Sequence, residues 1–131
     1  MKTVIIWTDP ETRWLFTAAF KRAGYNPSVD WFNNIEDGLN ACIENPPDLL
    51  IVQRTVGKQD DGFELCRQLR EIESLPYFPI VIGFIDVWQK WEIGSALGYQ
   101  AGADLCFGRV FDVVKVVKDI SKLLDESIEK K

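Results

Sequence analysis

Short apolar runs alternate along this chain with longer segments in which apolar positions recur every three or four residues, and turn-forming residues separate the two kinds. The first kind reads as strands and the second as amphipathic helices. Residues 2–7 form a β-branched run that stops at Thr8-Asp9-Pro10, where proline and Glu11 favour the first turn of a helix over residues 10–23. Gly24 supplies the left-handed stop. Residues 29–32 read as a short second strand, and Asn33-Asn34 caps a second helix that Asn45-Pro46-Pro47 ends. The run 48–53 is apolar throughout rather than alternating, as a strand covered on both faces reads, so it is expected at the centre of a sheet. Asp61 is expected to cap a third helix ending near Ser74. Residues 80–84 give a fourth strand, 88–100 a fourth helix weakened by Gly94 and Gly98, and 105–107 a fifth strand. Asp112 caps the last helix, whose Val113, Val117, Ile120, Leu124 and Ile128 form one stripe.

Strict alternation with short links argues for an α/β fold: a doubly wound, five-stranded parallel sheet with helices on both faces and right-handed crossovers. In such sheets the functional crevice lies beyond the carboxyl ends of the strands, here Trp7-Thr8-Asp9, Gln53-Arg54, Phe84-Ile85 and Gly108-Arg109. The 131 residues fit one domain, with a core over 1–124 and a charged tail over 125–131.

Composition narrows the function classes. A net charge of −5 disfavours a nucleic-acid surface, which runs on clustered cations. The chain has no histidine, the commonest general base and transition-metal ligand, so an enzyme ranks last among the readings. Cys42, Cys66 and Cys106 lie singly in apolar segments and read as buried free thiols. No apolar stretch approaches the roughly 18 residues that span a bilayer, and the N-terminus lacks a secretory layout. A cytoplasmic location without membrane contact is the expectation.

Several pieces together carry a family resemblance: residues 2–10 with proline after the acidic turn, Pro47-Asp48-Leu49-Leu50-Ile51-Val52, Asp61-Gly62-Phe63-Glu64-Leu65, Phe78-Pro79-Ile80-Val81-Ile82, and Ala101-Gly102-Ala103-Asp104 leading to Phe111. Over essentially its whole length the chain resembles a receiver domain of two-component response regulators. The resemblance implies a flavodoxin-like strand order 2-1-3-4-5, Mg²⁺ and a phospho-aspartate in the crevice, and output through the face built from the fourth helix, fifth strand and fifth helix.

The departures from that pattern fall on the chemistry. The family's paired metal-binding acids align with Trp7 and Thr8, leaving Asp9 as the acid there, and its phospho-acceptor aspartate aligns with Gln53. Its switch hydroxyl aligns with Phe84, its coupled aromatic with Cys106, and its phosphate-pairing lysine with Arg109. The cis-proline that follows the lysine is replaced by Val110. A hard divalent cation needs oxygen ligands, preferably charged, and an amide is no nucleophile towards a phosphodonor.

The resulting expectation is an atypical, pseudo-receiver type of domain in phosphorelay signalling that works as a phosphorylation-independent interaction module, with no metal and no cofactor. Trp7 and Phe84 are read as apolar fillers of the crevice, and Asp9, Asp60 and Asp61 as caps and turns. Arg109 is read as an ion-pair partner of Asp9. Trp88, Trp91, Phe107 and Val113 are the candidate contacts for a protein partner, which is a signalling protein, an output domain or a second copy of the chain. The alternative is a small-molecule sensor, with Trp7 and Phe84 flanking an aromatic ligand and Arg54 or Arg109 meeting an anion.

Overall fold

The computed structural model describes residues 1–84, 91–108 and 112–130, the last four of these by backbone alone. Ten elements alternate: β1 (Lys2–Ile6), α1 (Pro10–Arg22), β2 (Ser28–Phe32), α2 (Ile35–Glu44), β3 (Leu49–Gln53), α3 (Asp61–Glu71), β4 (Ile80–Gly83), α4 (Trp91–Ala101), β5 (Leu105–Phe107) and α5 (Val113–Lys130). The strands pair in parallel in the order β2-β1-β3-β4-β5, the doubly wound arrangement expected from the alternation. Every residue of β3 is buried, in keeping with its unbroken apolar run at the sheet centre.

Period-two alternation divides the core into two layers. Val4, Ile6, Leu50, Val52, Ile80, Ile82 and Cys106 face Cys42 of α2, Phe63, Cys66 and Leu69 of α3, and Ala101 of α4. Ile5, Leu49, Ile51, Val81 and Phe107 face Phe16 and Phe20 of α1 and Val116, Val117 and Ile120 of α5. The three cysteines are buried and free, all in the first layer.

The helix starts follow from local chemistry. Asp9 takes the Glu11 N–H at 3.0 Å with Pro10 in the first turn, Asn34 takes the Asp37 N–H at 2.8 Å, and Asp112 takes the Val114 N–H at 2.9 Å. Gly24, at φ +95°, follows α1 as its left-handed stop. The start of α3 differs by one residue from expectation. Asp60, not Asp61, is the cap residue; it sits at φ 59° and its side chain makes no capping bond. Asp61 lies inside the helix, and its carboxylate turns back to accept the Val56, Gly57 and Lys58 N–H groups at 2.7, 2.9 and 2.9 Å. That folds the loop onto the helix start, and α3 then ends at Glu71, short of Ser74.

At the opposite end of the sheet a closed polar cluster ties α3 to β4 and β5. The Arg70 guanidinium donates to the Gly102 and Phe78 carbonyls and pairs with Asp104 at 2.7 Å, while Asp104 also accepts the Tyr77 hydroxyl and the Ile80 N–H. All three guanidinium nitrogens of Arg70 donate and both oxygens of Asp104 accept, so the cluster holds this edge with its two charges paired.

The crevice at the strand ends

The carboxyl ends of β1, β3, β4 and β5 lie at one end of the sheet, and Trp7, Gln53, Arg54 and Phe84 are all buried there. Trp7 is 2% exposed, and its ring lies parallel to that of Phe107, 2° apart in plane and 5.9 Å between centroids. Gly83 on β4 makes room for the pair. A methyl group there would lie 2.3 Å from Trp7 Cη2 and 2.6 Å from Phe107 Cζ.

Gln53 is 2% exposed and both ends of its amide are engaged. Its Oε1 accepts the Thr8 N–H at 2.9 Å and the Thr8 hydroxyl at 3.0 Å, and its Nε2 donates to the Thr55 carbonyl at 2.7 Å. The partners fix the orientation of the amide, because an N–H can only donate and a carbonyl can only accept. Gln53 therefore bridges the loop after β1 to the loop after β3 with both halves of a neutral group, a task that neither a carboxylate nor a hydroxyl reproduces.

Beside it, Arg54 is 7% exposed. Its Nε pairs with Asp60 Oδ1 at 2.7 Å, and its guanidinium lies 4.9 Å from the centroid of Phe63 and 5.2 Å from that of Phe84. Burial of an arginine is tolerable when the charge is paired and the flat face is stacked. Gly62 allows the tight turn: its N–H donates to the Arg54 carbonyl at 2.8 Å, and a Cβ would meet the Gln53 carbonyl oxygen at 2.2 Å.

Phe84 belongs to the layer under α3 and α4, whereas Trp7 belongs to the layer under α1 and α5. The two rings lie on opposite faces of the sheet. Each is buried in its own layer, so as placed they do not face each other across one flat ligand, the arrangement the sensor alternative expects. Cys106 faces the α4 side, its backbone N–H donating to the Tyr99 hydroxyl at 3.3 Å, and burial pushes its thiol up to about 12. The glycines of α4 are contacts rather than weaknesses. A Cβ on Gly94 would meet Phe84 at 2.8 Å, and one on Gly98 would meet Cys106 Sγ at 2.7 Å, so the bare backbone lets α4 lie close to the sheet.

The acids at the crevice are each committed locally: Asp9 to the Glu11 N–H, Asp60 to Arg54, and Asp61 to three backbone N–H groups. Among the described residues no three acidic, cysteine or histidine side chains converge. Arg109, Val110 and Trp88 lie outside the described residues.

Of the expected partner contacts, Trp91 is 44% exposed, its ring 5.4 Å from Phe84 in an edge-on arrangement. Phe107 is corrected: it is buried against Trp7 and Phe16 and offers no surface. Val113 is half-buried against the α1/α5 layer, and it is the neighbouring Val114 that stands out to solvent. Ile93 and Tyr99 are about half exposed on α4 and were not foreseen; with Trp91 they make this helix apolar outside as well as inside. Arg54 as a buried stacking cation was also missed. Its sequence signal is weak, an arginine after a central strand with its aromatic partners far along the chain.

No family model and no curated protein matches the chain. Solved structures do. A CheY-like response regulator receiver domain protein from Methanospirillum hungatei is 20% identical, with 99% of this chain and 98% of that one covered at a TM-score of 0.79. The BeF3-activated N-terminal receiver domain of Klebsiella pneumoniae RstA is 20% identical over 95% of this chain and 98% of its own, at 0.77. A Francisella response regulator receiver domain is 17% identical over 96% and 98%, at 0.79. The chain has the receiver-domain fold of response regulators.

Proposed function

We propose that the chain is a receiver-type module of two-component signalling that transmits by protein docking and takes no phosphoryl group. The observation that carries this reading is Gln53: at the end of the central strand, where the resemblance places the acceptor carboxylate, stands a buried amide whose oxygen and nitrogen are both used. An aspartyl phosphoryl acceptor needs a carboxylate lone pair aimed into an open crevice that can hold a metal ion. Here the lone pairs of Oε1 face Thr8, the neighbouring space holds the Trp7–Phe107 pair, and Arg54 supplies a fixed internal cation.

The surface that supports docking is α4, on which Trp91, Ile93 and Tyr99 are each between 44% and 49% exposed. Within α4 the single formal charge is Glu92. Aromatic side chains with an apolar surround are the usual anchors of protein interfaces. A second copy of the chain is the partner to test first, because it needs no prior identification. No described helix is long and apolar enough to cross a membrane.

The test is sedimentation velocity over a concentration series, with and without Mg²⁺ and beryllofluoride, on the natural chain and on Trp91→Ala. Self-association that Trp91→Ala weakens and that the phosphoryl mimic leaves unchanged supports the reading. Association that appears only with Mg²⁺ and beryllofluoride overturns it.

A further inference from the structure

A continuous column of side chains runs from the loop after β3 to the surface of α4. It begins at Asp60, held at φ 59°, a backbone conformation uncommon for a side chain other than glycine. Asp60 Oδ1 meets Arg54 Nε at 2.7 Å. The guanidinium then lies against Phe63 and Phe84, which are themselves edge-on with centroids 5.7 Å apart. Phe84 touches the Trp91 ring at 5.4 Å between centroids, and Trp91 lies over Gly108 at the end of β5, where an added Cβ would be 3.6 Å from the indole. Gly94 removes the one side chain of α4 that would push between Phe84 and Arg54.

Three features single out Arg54 in the column. The cation lies against both aromatic rings, 4.9 and 5.2 Å from their centroids, so moving it frees both. Its charge is paired with an aspartate in a left-handed conformation that the loop holds: the Asp60 N–H donates to the Thr55 hydroxyl at 3.2 Å, and the Gly62 N–H returns to the Arg54 carbonyl. The third is chemical: a lysine ammonium is a point charge without a flat face, so only a guanidinium can pair with Asp60 and stack on Phe84 together.

We propose that Arg54 is the positioning residue of the α4 surface, holding Phe84 and through it Trp91 in one arrangement, so that the helix is presented without any covalent signal. The functional consequence rests on the docking reading above; the positioning itself does not. In the receiver pattern a hydroxyl at the Phe84 position answers to a phosphoryl group. Here a permanent internal cation acts on a ring at the same position. By linkage, anything that binds better to the Arg54-ordered form of α4 must also tighten the Arg54–Asp60 pair.

The experiment uses the full chain labelled with 5-fluorotryptophan, with the Trp91 resonance assigned by its loss in Trp91→Phe, together with amide hydrogen exchange. Arg54→Met keeps the apolar stem and removes the cation; Arg54→Lys keeps the charge and removes the plane. In both, the Trp91 resonance is expected to shift or broaden while that of Trp14, on the far side of the sheet, stays in place. Amides of α4 are expected to exchange about tenfold faster relative to those of α1 in the same molecule. If Arg54→Met fails to fold, Arg54→Lys and Asp60→Asn give the same readouts. An unmoved Trp91 resonance in a folded variant, or equal loss of protection in α1 and α4, overturns the inference and leaves docking untouched. Conversely, a shifted Trp91 resonance with self-association unaffected by Trp91→Ala removes the docking reading and leaves the positioning role standing.

Discussion

Replacing Gln53 by glutamate changes one atom group in the crevice and has a calculable consequence. The side chain keeps its length, and one carboxylate oxygen still accepts from the Thr8 N–H and hydroxyl at the 2.9 and 3.0 Å positions. The other oxygen then faces the Thr55 carbonyl, where Nε2 had donated at 2.7 Å. Two acceptors at that separation repel, the Thr55 carbonyl loses its donor, and a charge is buried at a site that is 2% exposed. The lost bond and the desolvation, partly offset by stronger bonds from Thr8, sum to about 2–4 kcal/mol at neutral pH. For a domain of this length that lowers Tm by roughly 6–15 °C.

Protonation reverses most of this loss, because a carboxylic acid O–H can donate to Thr55 again. The introduced carboxyl is raised in the folded state above its unfolded value of about 4.3. The folded protein then binds more protons than the unfolded one across that window, so stability of the variant relative to the natural chain falls as pH rises from about 4.3 through the folded-state pKa. Calorimetric melts of both proteins between acid and neutral pH give the difference directly, with Gln53→Met as the control whose deficit is independent of pH. A Gln53→Glu deficit that is absent at neutral pH, or the same at every pH, would refute the bridging role of the amide.

Other consequences of the packing are as direct. Gly83→Ala forces Trp7 and Phe107 apart and is expected to cost about 1–3 kcal/mol, and Trp7→Ala about 3–5 kcal/mol, read from urea unfolding. Thr3 is fully buried and its hydroxyl has no partner among the described residues, so Thr3→Val is expected to stabilise the fold by about 1 kcal/mol; a lower Tm would contradict it. Burial raises the Cys42, Cys66 and Cys106 thiols to about 12, 11 and 12. They should resist a disulfide reagent at pH 8 in the folded state, and stability should fall as pH climbs above the unfolded thiol value of about 8.5. Fast labelling of the native protein would show the layer under α3 and α4 to be open.

The fold was legible because its signals are local. The unbroken apolar run before Gln53 put β3 at the centre, Asp9-Pro10 and Asn34 marked helix starts, and Gly24 marked a stop. That Trp7, Thr8 and Gln53 at the strand ends carry no charge is also visible in the residue types. What could not be read were relations between distant positions. Arg54 looked like a crevice cation open to an anion, because nothing near it in sequence discloses Phe84 at its side. From sequence Gly94 and Gly98 read as weak points of a helix, because nothing beside them in the chain discloses Phe84 and Cys106 beneath. Phe107 looked like surface because its stacking partner, Trp7, lies a hundred residues earlier. The cap of α3 falls on Asp60 and not Asp61 because a left-handed residue shifts it by one place.

The account turns on the crevice being occupied by the protein's own side chains. Intact-mass measurement of the natural chain after incubation with acetyl phosphate and Mg²⁺ tests this most directly. An unchanged mass is the expected result, and a stable added phosphoryl group on any crevice residue would contradict it.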